Sequence, residues 1–226
     1  MTEIADMAHQ PLLQVSAESR ASAPQVLNLI RQSPLNAMLS GVLQEAQGTG
    51  PLQTRFKLNI PLLTPESTQV QGSVQFNGND LRITSATPWL EKIQGTLQFH
   101  EGGFGVNKLQ AQMLGGPVQI EGGLRATGSH AGAAAASGTV AASGAEPAVL
   151  FHAQGRVSAT ALRAAREFFP IDGLAQHAGG STAYSARLGW QQGQPDLSLQ
   201  STLEGLSLQL PAPLGKTTNS AMPLSI

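Results

Sequence analysis

Gln71-Gly-Ser-Val-Gln-Phe76 and Gln94-Gly-Thr-Leu-Gln-Phe99 are one phrase written twice, 23 residues apart. Side chains alternate between the two faces of a β-strand. Val74 and Phe76 therefore share a face in the first copy and Leu97 and Phe99 in the second, with Ser73, Gln75, Thr96 and Gln98 on the other. Glu101-Gly-Gly-Phe104 and Glu121-Gly-Gly-Leu124 echo each other in the same way. A reiterated strand-and-turn unit with one oily face builds a surface or a groove more readily than a catalytic pocket.

Reading outward, the phrase lies in a meander of strands predicted at 69–77, 80–85, 93–100, 104–114 and 117–126. Asn77-Gly-Asn-Asp80, Glu101-Gly-Gly103 and Gly115-Gly116 supply turn chemistry between them. Upstream, 12–17 alternates as a strand. Ser22 then caps a helix with Pro24 in its first turn and Val26, Leu27 and Ile30 as its apolar stripe. Pro34 ends that helix, 35–44 reads as a second short one, Gly48-Thr-Gly50-Pro51 as a turn and 52–60 as a strand. Downstream the same order returns about 130 residues later. Strand 149–157 leads to a short helix from Ser158 through Phe169, then a turn at Gly179-Gly-Ser-Thr182 and strand 183–190. Strands 197–203 and 206–210 form the next expected pair. Repetition at this scale favours an array that grows by adding strands. It divides the chain into a first strand–helix–meander repeat (1–125), a low-complexity Gly/Ala/Ser loop (126–147) and a second, truncated repeat of one continuous sheet (148–226). The fold class expected is mainly β, an elongated, curled antiparallel meander sheet with two or three short helices.

Composition removes several functions. Only 12% of the 226 residues are charged and the net charge is −1, which leaves no electrostatic basis for binding nucleic acid or an anionic membrane surface. Without cysteine there is no disulfide, thiolate metal site or cysteine nucleophile. No apolar run approaches the ~20 residues that span a bilayer. Met1–Gln10 contains acidic residues and no apolar signal core, and Met222-Pro-Leu-Ser-Ile226 reads as a strand that stops short. Both ends read as cut, so the chain is expected to be a segment of a longer protein.

Catalytic, metal and cofactor sites are not expected. His9, His100, His130, His152 and His177 lie in separate elements, without chelating spacing. Gly215-Lys-Thr217 resembles the end of a phosphate-binding loop, but Leu210 stands where that loop needs glycine, and Pro211 and Pro213 stiffen it. There is no Gly-x-Ser-x-Gly elbow. Asp80 with Glu101, or Asp172 with Glu167, read better as turn carboxylates bonded to their own backbone than as acid/base pairs.

The apolar face is the remaining candidate. Val70, Val74, Phe76, Leu81, Ile83, Ile93, Leu97, Phe99, Phe104, Val106, Val118, Ile120 and Leu124 line it in the first half, and Phe151, Tyr184, Leu188, Trp190, Leu197, Leu199, Leu203, Leu206, Leu208 and Leu210 continue it in the second. Such a face can be the interior of a sandwich or barrel, or a sheet covered by the two helices. Aromatics are only 4% of the chain and the helices are few and short. Part of the face could therefore stay open for a long apolar ligand that needs no charge partner.

The stretches Gln71–Ile83, Thr87-Pro-Trp-Leu90, Ile93–Phe99, Leu114-Gly-Gly-Pro117 and Leu206–Lys216 together resemble the YhdP-type proteins of the AsmA-like family. The resemblance covers most of the chain outside 126–147. It implies the periplasmic part of an inner-membrane-anchored envelope protein of Gram-negative bacteria, similar to the bridge-like lipid-transfer proteins. The implied partners are phospholipid acyl chains, the rest of the same longer chain, and the inner and outer membranes reached through segments not in this sequence, the membrane anchor among them. The implied role is passing phospholipid between the membranes in support of the permeability barrier. The alternative from the residues alone is a non-transporting structural β-scaffold or protein-interaction module of the envelope.

Overall fold

The computed structural model describes residues 2–5, 11–32, 36, 41–64, 67–85, 87–100, 103–125, 148–164, 175–191, 194–211 and 215–225. In chain order the strands are β1 (Thr2–Ala5), β2 (Leu12–Ser22), β3 (Gln47–Thr49), β4 (Pro51–Pro61), β5 (Gln69–Arg82), β6 (Leu90–His100) and β7 (Gly103–Met113). They continue as β8 (Gly116–Arg125), β9 (Ala148–Ser158), β10 (Ala178–Gln191), β11 (Gln194–Ser201), β12 (Leu206–Leu208) and β13 (Leu224–Ser225). Helix α1 (Ala23–Arg31) follows β2 and helix α2 (Ala159–Ala164) follows β9. All thirteen described strands belong to one open antiparallel sheet, with order β1-β2-β4-β5-β6-β7-β8-β9-β10-β11-β13. Ten gaps of ~4.8 Å carry that path across about 48 Å.

The doubled phrase pairs with itself. Gly72 stands opposite Phe99, Val74 opposite Leu97 and Phe76 opposite Gly95, so the two copies are related by a local twofold at Val74/Leu97. Each phenylalanine is paired in register with the glycine of the other copy, but the space beside Gly95 is filled by Leu109, whereas that beside Gly72 is filled by Phe99. A Cβ built on Gly72 would lie 2.4 Å from Phe99 Cζ and 2.5 Å from the Arg55 carbonyl, so the ring occupies the space a side chain would fill. On the opposite face Thr96 Oγ1 donates to Gln75 Oε1 at 2.7 Å, a polar cross-strand pair.

Several expected turns are bends within strands. Asn77–Asp80 does not reverse the chain. It is a bulge in β5, with Gly78 at φ 87° and the register with β6 shifting between Asn77 and Asn79. The reason is long-range. Asn79, 2% exposed, donates from Nδ2 to the carbonyls of Thr49 (3.0 Å) and Pro51 (2.9 Å), while its Oδ1 accepts from the Asn77 N–H at 2.9 Å. Asp80 Oδ1 accepts the Lys92 N–H at 2.9 Å and Oδ2 accepts the Thr49 hydroxyl at 3.0 Å. Lys92 (φ 52°) and Lys108 (φ 53°) adopt left-handed backbone at register shifts in β6 and β7. Three adjacent strands are thus bulged near the same level, which bends a sheet and adds twist.

Gly48–Pro51 and Gly179–Thr182 are likewise kinks, not turns. Gly50 (φ 83°) separates β3 from β4, and both fragments run along β5. Gly180 (φ 88°) lies inside β10. The residues 197–203 and 206–210 do not pair with each other: β11 and β12 both lie along β10, at Ser185–Gln191 and Ala178–Gly180 respectively. The two strand–helix units superpose in logic, since Ser22 pairs with Pro51 as Ser158 pairs with Ser181, each at the start of its helix. β8 pairs with β9, so the sheet is continuous from one unit into the other. The loop expected at 126–147 lies outside the described residues, as do 35 and 37–40 of the helix expected at 35–44, whose residues 41–43 form turns, and the end of the helix expected at 158–169.

Helix α1 starts where Gln25 Oε1 accepts from the Ser22 N–H (2.9 Å) and hydroxyl (3.0 Å), with proline in the first turn. It buries Ala23 and Leu27, and the Cβ of Ala23 lies 3.1 Å from the position a Gly48 Cβ would take. Arg31 in its last turn donates to the Leu43 carbonyl at 3.3 Å and to that of Ala46. Helix α2 buries Ala159 against Ala178 and Leu206.

Candidate functional site: an apolar face with one end closed

The antiparallel register aligns side chains in rows perpendicular to the strands. One row reads Val74, Leu97, Val106, Gly122, Phe151, Leu188 and Leu197, from β5 to β11 without a polar interruption. Beside it runs Ala17, Phe56, Gly72, Phe99, Phe104 and Leu124, continued by the register of Val149 and Trp190. On the other side lie Leu109, Ile120, Ala153, Ala186 and Leu199, then Ala111, Val118, Gly155 and Tyr184. Rows are two residues apart along the strand, ~6.7 Å.

The bulges keep these rows on one face although the sequence changes parity. In β5 the apolar positions pass from even (Val74, Phe76) to odd (Leu81), and in β7 from even (Phe104, Val106) to odd (Leu109, Ala111). Leu109 and Ala111 were absent from the sequence-based set, because Lys108 inserts the extra residue between the two parities. Abrupt parity changes across Asn107-Lys108 and Gly78 are the signal that marks them.

Burial varies from one end of the strands to the other. Near the helix end Ile93 is fully buried (0% exposed), and Val106, Leu109, Ala111, Val118, Val157 and Tyr184 form one cluster with it. Phe76, Leu81, Leu97, Ile120, Leu199 and Leu162 of α2 pack against that cluster. Towards the other end Val70, Phe99, Phe104, Phe151 and Leu188 are half-buried, and Leu197 is 60% exposed. Phe104 and Phe151 come together across Gly122, with centroids 6.1 Å apart and planes tilted by 40°. Of the other sequence-selected residues, Leu124 is buried and Ile83 half-buried, while Leu203 packs into the separate α2 cluster with Ala159, Ala178 and Leu206. The Trp190 side chain lies outside the described residues.

One polar atom sits in the closed end. The Tyr184 ring lies over Gly155, its hydroxyl 2.8 Å from where a Cβ would be. That hydroxyl is buried without a hydrogen-bond partner, and burial pushes its pKa up to about 12. The position holds an aromatic for its shape, over a glycine notch of the kind seen at Phe99.

Among the described residues no group of three His, Cys, Asp or Glu side chains is placed to hold a metal. Asp80 is engaged structurally as above; Glu101, Glu167 and Asp172 lie outside the described residues. Lys216 Nζ donates to the carbonyls of Leu203 (2.8 Å), Leu206 and Thr217 (3.1 Å), so the Gly-Lys-Thr segment ties down the chain after β11. No described helix is long and apolar enough to cross a membrane.

A one-layer open sheet of chain-ordered strands, apolar on one face and polar on the other, is the architecture expected of the AsmA-like envelope proteins. The family model described as "YhdP protein" matches residues 2–226, and the chain belongs to that family. No curated protein and no solved structure matches the chain significantly.

Proposed function

We propose that this chain is a lipid-carrying segment of a periplasmic, inner-membrane-anchored envelope protein. In this reading its apolar face conducts phospholipid acyl chains between inner and outer membranes and so supports the outer-membrane permeability barrier. The supporting observation is the apolar row that crosses β5 to β11 unbroken, from half-buried Val74 and Leu97 past buried Val106 to half-buried Phe151 and Leu188 and exposed Leu197. An acyl chain lying along a row stays on apolar atoms at every strand, and among the described residues no charged side chain stands in these rows to stop it. Each methylene moved from water onto the face gains ~0.8 kcal/mol. Movement from rung to rung costs little, because successive rungs are chemically alike. The closed cluster around Ile93 favours a scaffold role for that end alone, so the open rows carry the transport reading.

The test is a photo-crosslinking amino acid at Phe76, Phe99 and Ile120 of the full-length protein in cells. Capture of phospholipid at Phe99 supports conduction. Capture of protein only, or of nothing, at all three positions refutes it in favour of the scaffold.

A further inference from the structure

The opposite face carries a feature that lipid conduction does not use. Gln94, Gln110, Gln119, Gln154, Ser185 and Gln200 face each other in register from β6 to β11, forming a second row parallel to the apolar ones. All six are exposed. A solvated sheet face is ordinarily rich in both signs of charge, yet six consecutive cross-strand positions here hold none. Side-chain amides at strand spacing can bond to one another in ladders, but none of these five glutamines bonds another side chain in the structure.

The row floors a wide, shallow cleft of about 1210 Å³ that also takes in Lys92, Arg156 and Thr202, with Pro117, Ala183, Pro223 and Leu224 adding apolar surface. A smaller recess of about 320 Å³ adjoins it through Gln154, Ser185 and Gln200 and adds His152 and Arg187. Among the described residues neither lining contains an aspartate or glutamate; Asp80, Glu91, Glu121 and Asp196 stand outside both. Lys92 reaches the cleft from a bulge with left-handed backbone, a strained conformation for a side-chain-bearing residue and one that re-aims the side chain. The cleft thus presents neutral groups that both donate and accept hydrogen bonds, flanked by Lys92, whose N–H the Asp80 carboxylate holds, by Arg156, which donates to Ser181 Oγ at 3.1 Å, and by Arg187 in the adjoining recess.

We propose that this cleft binds an extended acidic polysaccharide, its hydroxyls on the glutamine row and its carboxylate or phosphate groups on Lys92, Arg156 and Arg187. The strand spacing of ~4.8 Å is comparable to the advance per ring of an extended sugar chain, so successive rings meet successive amides. A lipid headgroup is excluded as the occupant, because a lipid whose chains lie on one face of a single-layer sheet cannot reach the middle of the other. Nucleic acid is disfavoured by three cations in a chain of net charge −1.

The test uses sodium polygalacturonate as probe, with dextran as neutral comparator and single-stranded DNA as a non-carbohydrate polyanion, in calorimetric titrations of the full chain. Polygalacturonate is expected to bind and dextran to bind at least tenfold more weakly. Lys92→Ala with Arg156→Ala is expected to lower affinity at least tenfold, and Gln110→Ala with Gln119→Ala several-fold. Leu197→Ser, on the apolar face, should leave it within twofold. Circular dichroism confirms that each variant is folded. Absence of polygalacturonate binding, binding indifferent to both double variants, or equally tight binding of DNA overturns the proposal. None of these outcomes bears on lipid crosslinking at Phe99, so the two readings fail separately.

Discussion

Substituting Gly72 by alanine tests the packing of the Phe99 ring over Gly72 that the doubled phrase produces. A Cβ there would meet Phe99 Cζ at 2.4 Å, the Arg55 carbonyl oxygen at 2.5 Å and Phe56 Cβ at 3.0 Å. The ring can swing aside; the carbonyl cannot move without disturbing the β4–β5 ladder, in which Phe56 pairs with Gly72. Overpacking of this kind costs ~1–3 kcal/mol, and with backbone among the contacts the upper half of that range is expected, about 2 kcal/mol. With an m-value of about 2–3 kcal/mol/M in urea, the unfolding midpoint followed by circular dichroism should fall by about 0.7–1 M. Phe99→Leu removes the ring but leaves the carbonyl. The double variant should therefore be less destabilised than the sum of the singles by about 1 kcal/mol, a coupling expected only of residues in contact. Ser73→Ala, one residue along and on the other face, should stay within ~0.5 kcal/mol. Refutation would be a Gly72→Ala protein as stable as the parent, or strict additivity with Phe99→Leu; either would show that the ring does not sit on the glycine.

Asn79→Ala should cost about 2–4 kcal/mol in the same unfolding assay, because it deletes three hydrogen bonds and strands the Thr49 and Pro51 carbonyls. Asn79→Asp should be at least as damaging, since it puts acceptors against those carbonyls. Tyr184→Phe should be neutral or stabilising by up to ~1 kcal/mol, as no hydrogen bond is lost. Because the folded pKa of Tyr184 is raised from 10 to about 12, its contribution is fully present below pH 10. It should be lost as pH rises through 10 towards 12, where the unfolded chain ionises first. It is the chain's one tyrosine, so ultraviolet absorbance of the phenolate reports its titration directly, and a midpoint near 10 in the folded protein would contradict the burial. Ile93→Lys should unfold the protein, whereas Leu97→Lys, half-buried two rows away, should leave it folded while abolishing lipid capture at Phe99; unfolding of both would mean that the face is a closed core throughout.

The sheet was legible in the sequence because its evidence is local. Alternation in Gln69–Phe76 and Ile93–Phe99 gives strands and faces, and Ser22 with Pro24 marks the start of a helix. The apolar rows also follow from alternation, apart from Leu109 and Ala111. What could not be read locally was the difference between a turn and a bulge. Asn77-Gly-Asn-Asp has the composition of a hairpin turn, but Asn79 bonds to Thr49 and Pro51 some thirty positions away, and those bonds keep the strand running. Lys92 and Lys108 carry no glycine signature at all; a carboxylate from Asp80 holds the first in place. The kinks at Gly50 and Gly180 have the same character, since neighbouring strands continue past them and leave no room for reversal.

Those bulges bear on function as well as shape. Without them, an apolar set that runs even in Val74–Phe76 would put Leu81 on the glutamine face, and Leu109 would leave the face of Val106, since a one-residue slip reverses every side chain beyond it. The line of bulges through Gly78, Lys92 and Lys108 lies close to the boundary between the closed cluster at Ile93 and the half-buried rows. One inserted residue per strand therefore does two things together. It carries the apolar face past the bend, so that the closed end packs under α2, and it turns Lys92 towards the amide row on the other side. A single-layer sheet has no second layer to separate its two faces; here the register shifts of β5, β6 and β7 keep the oily and polar rows apart across the same backbone.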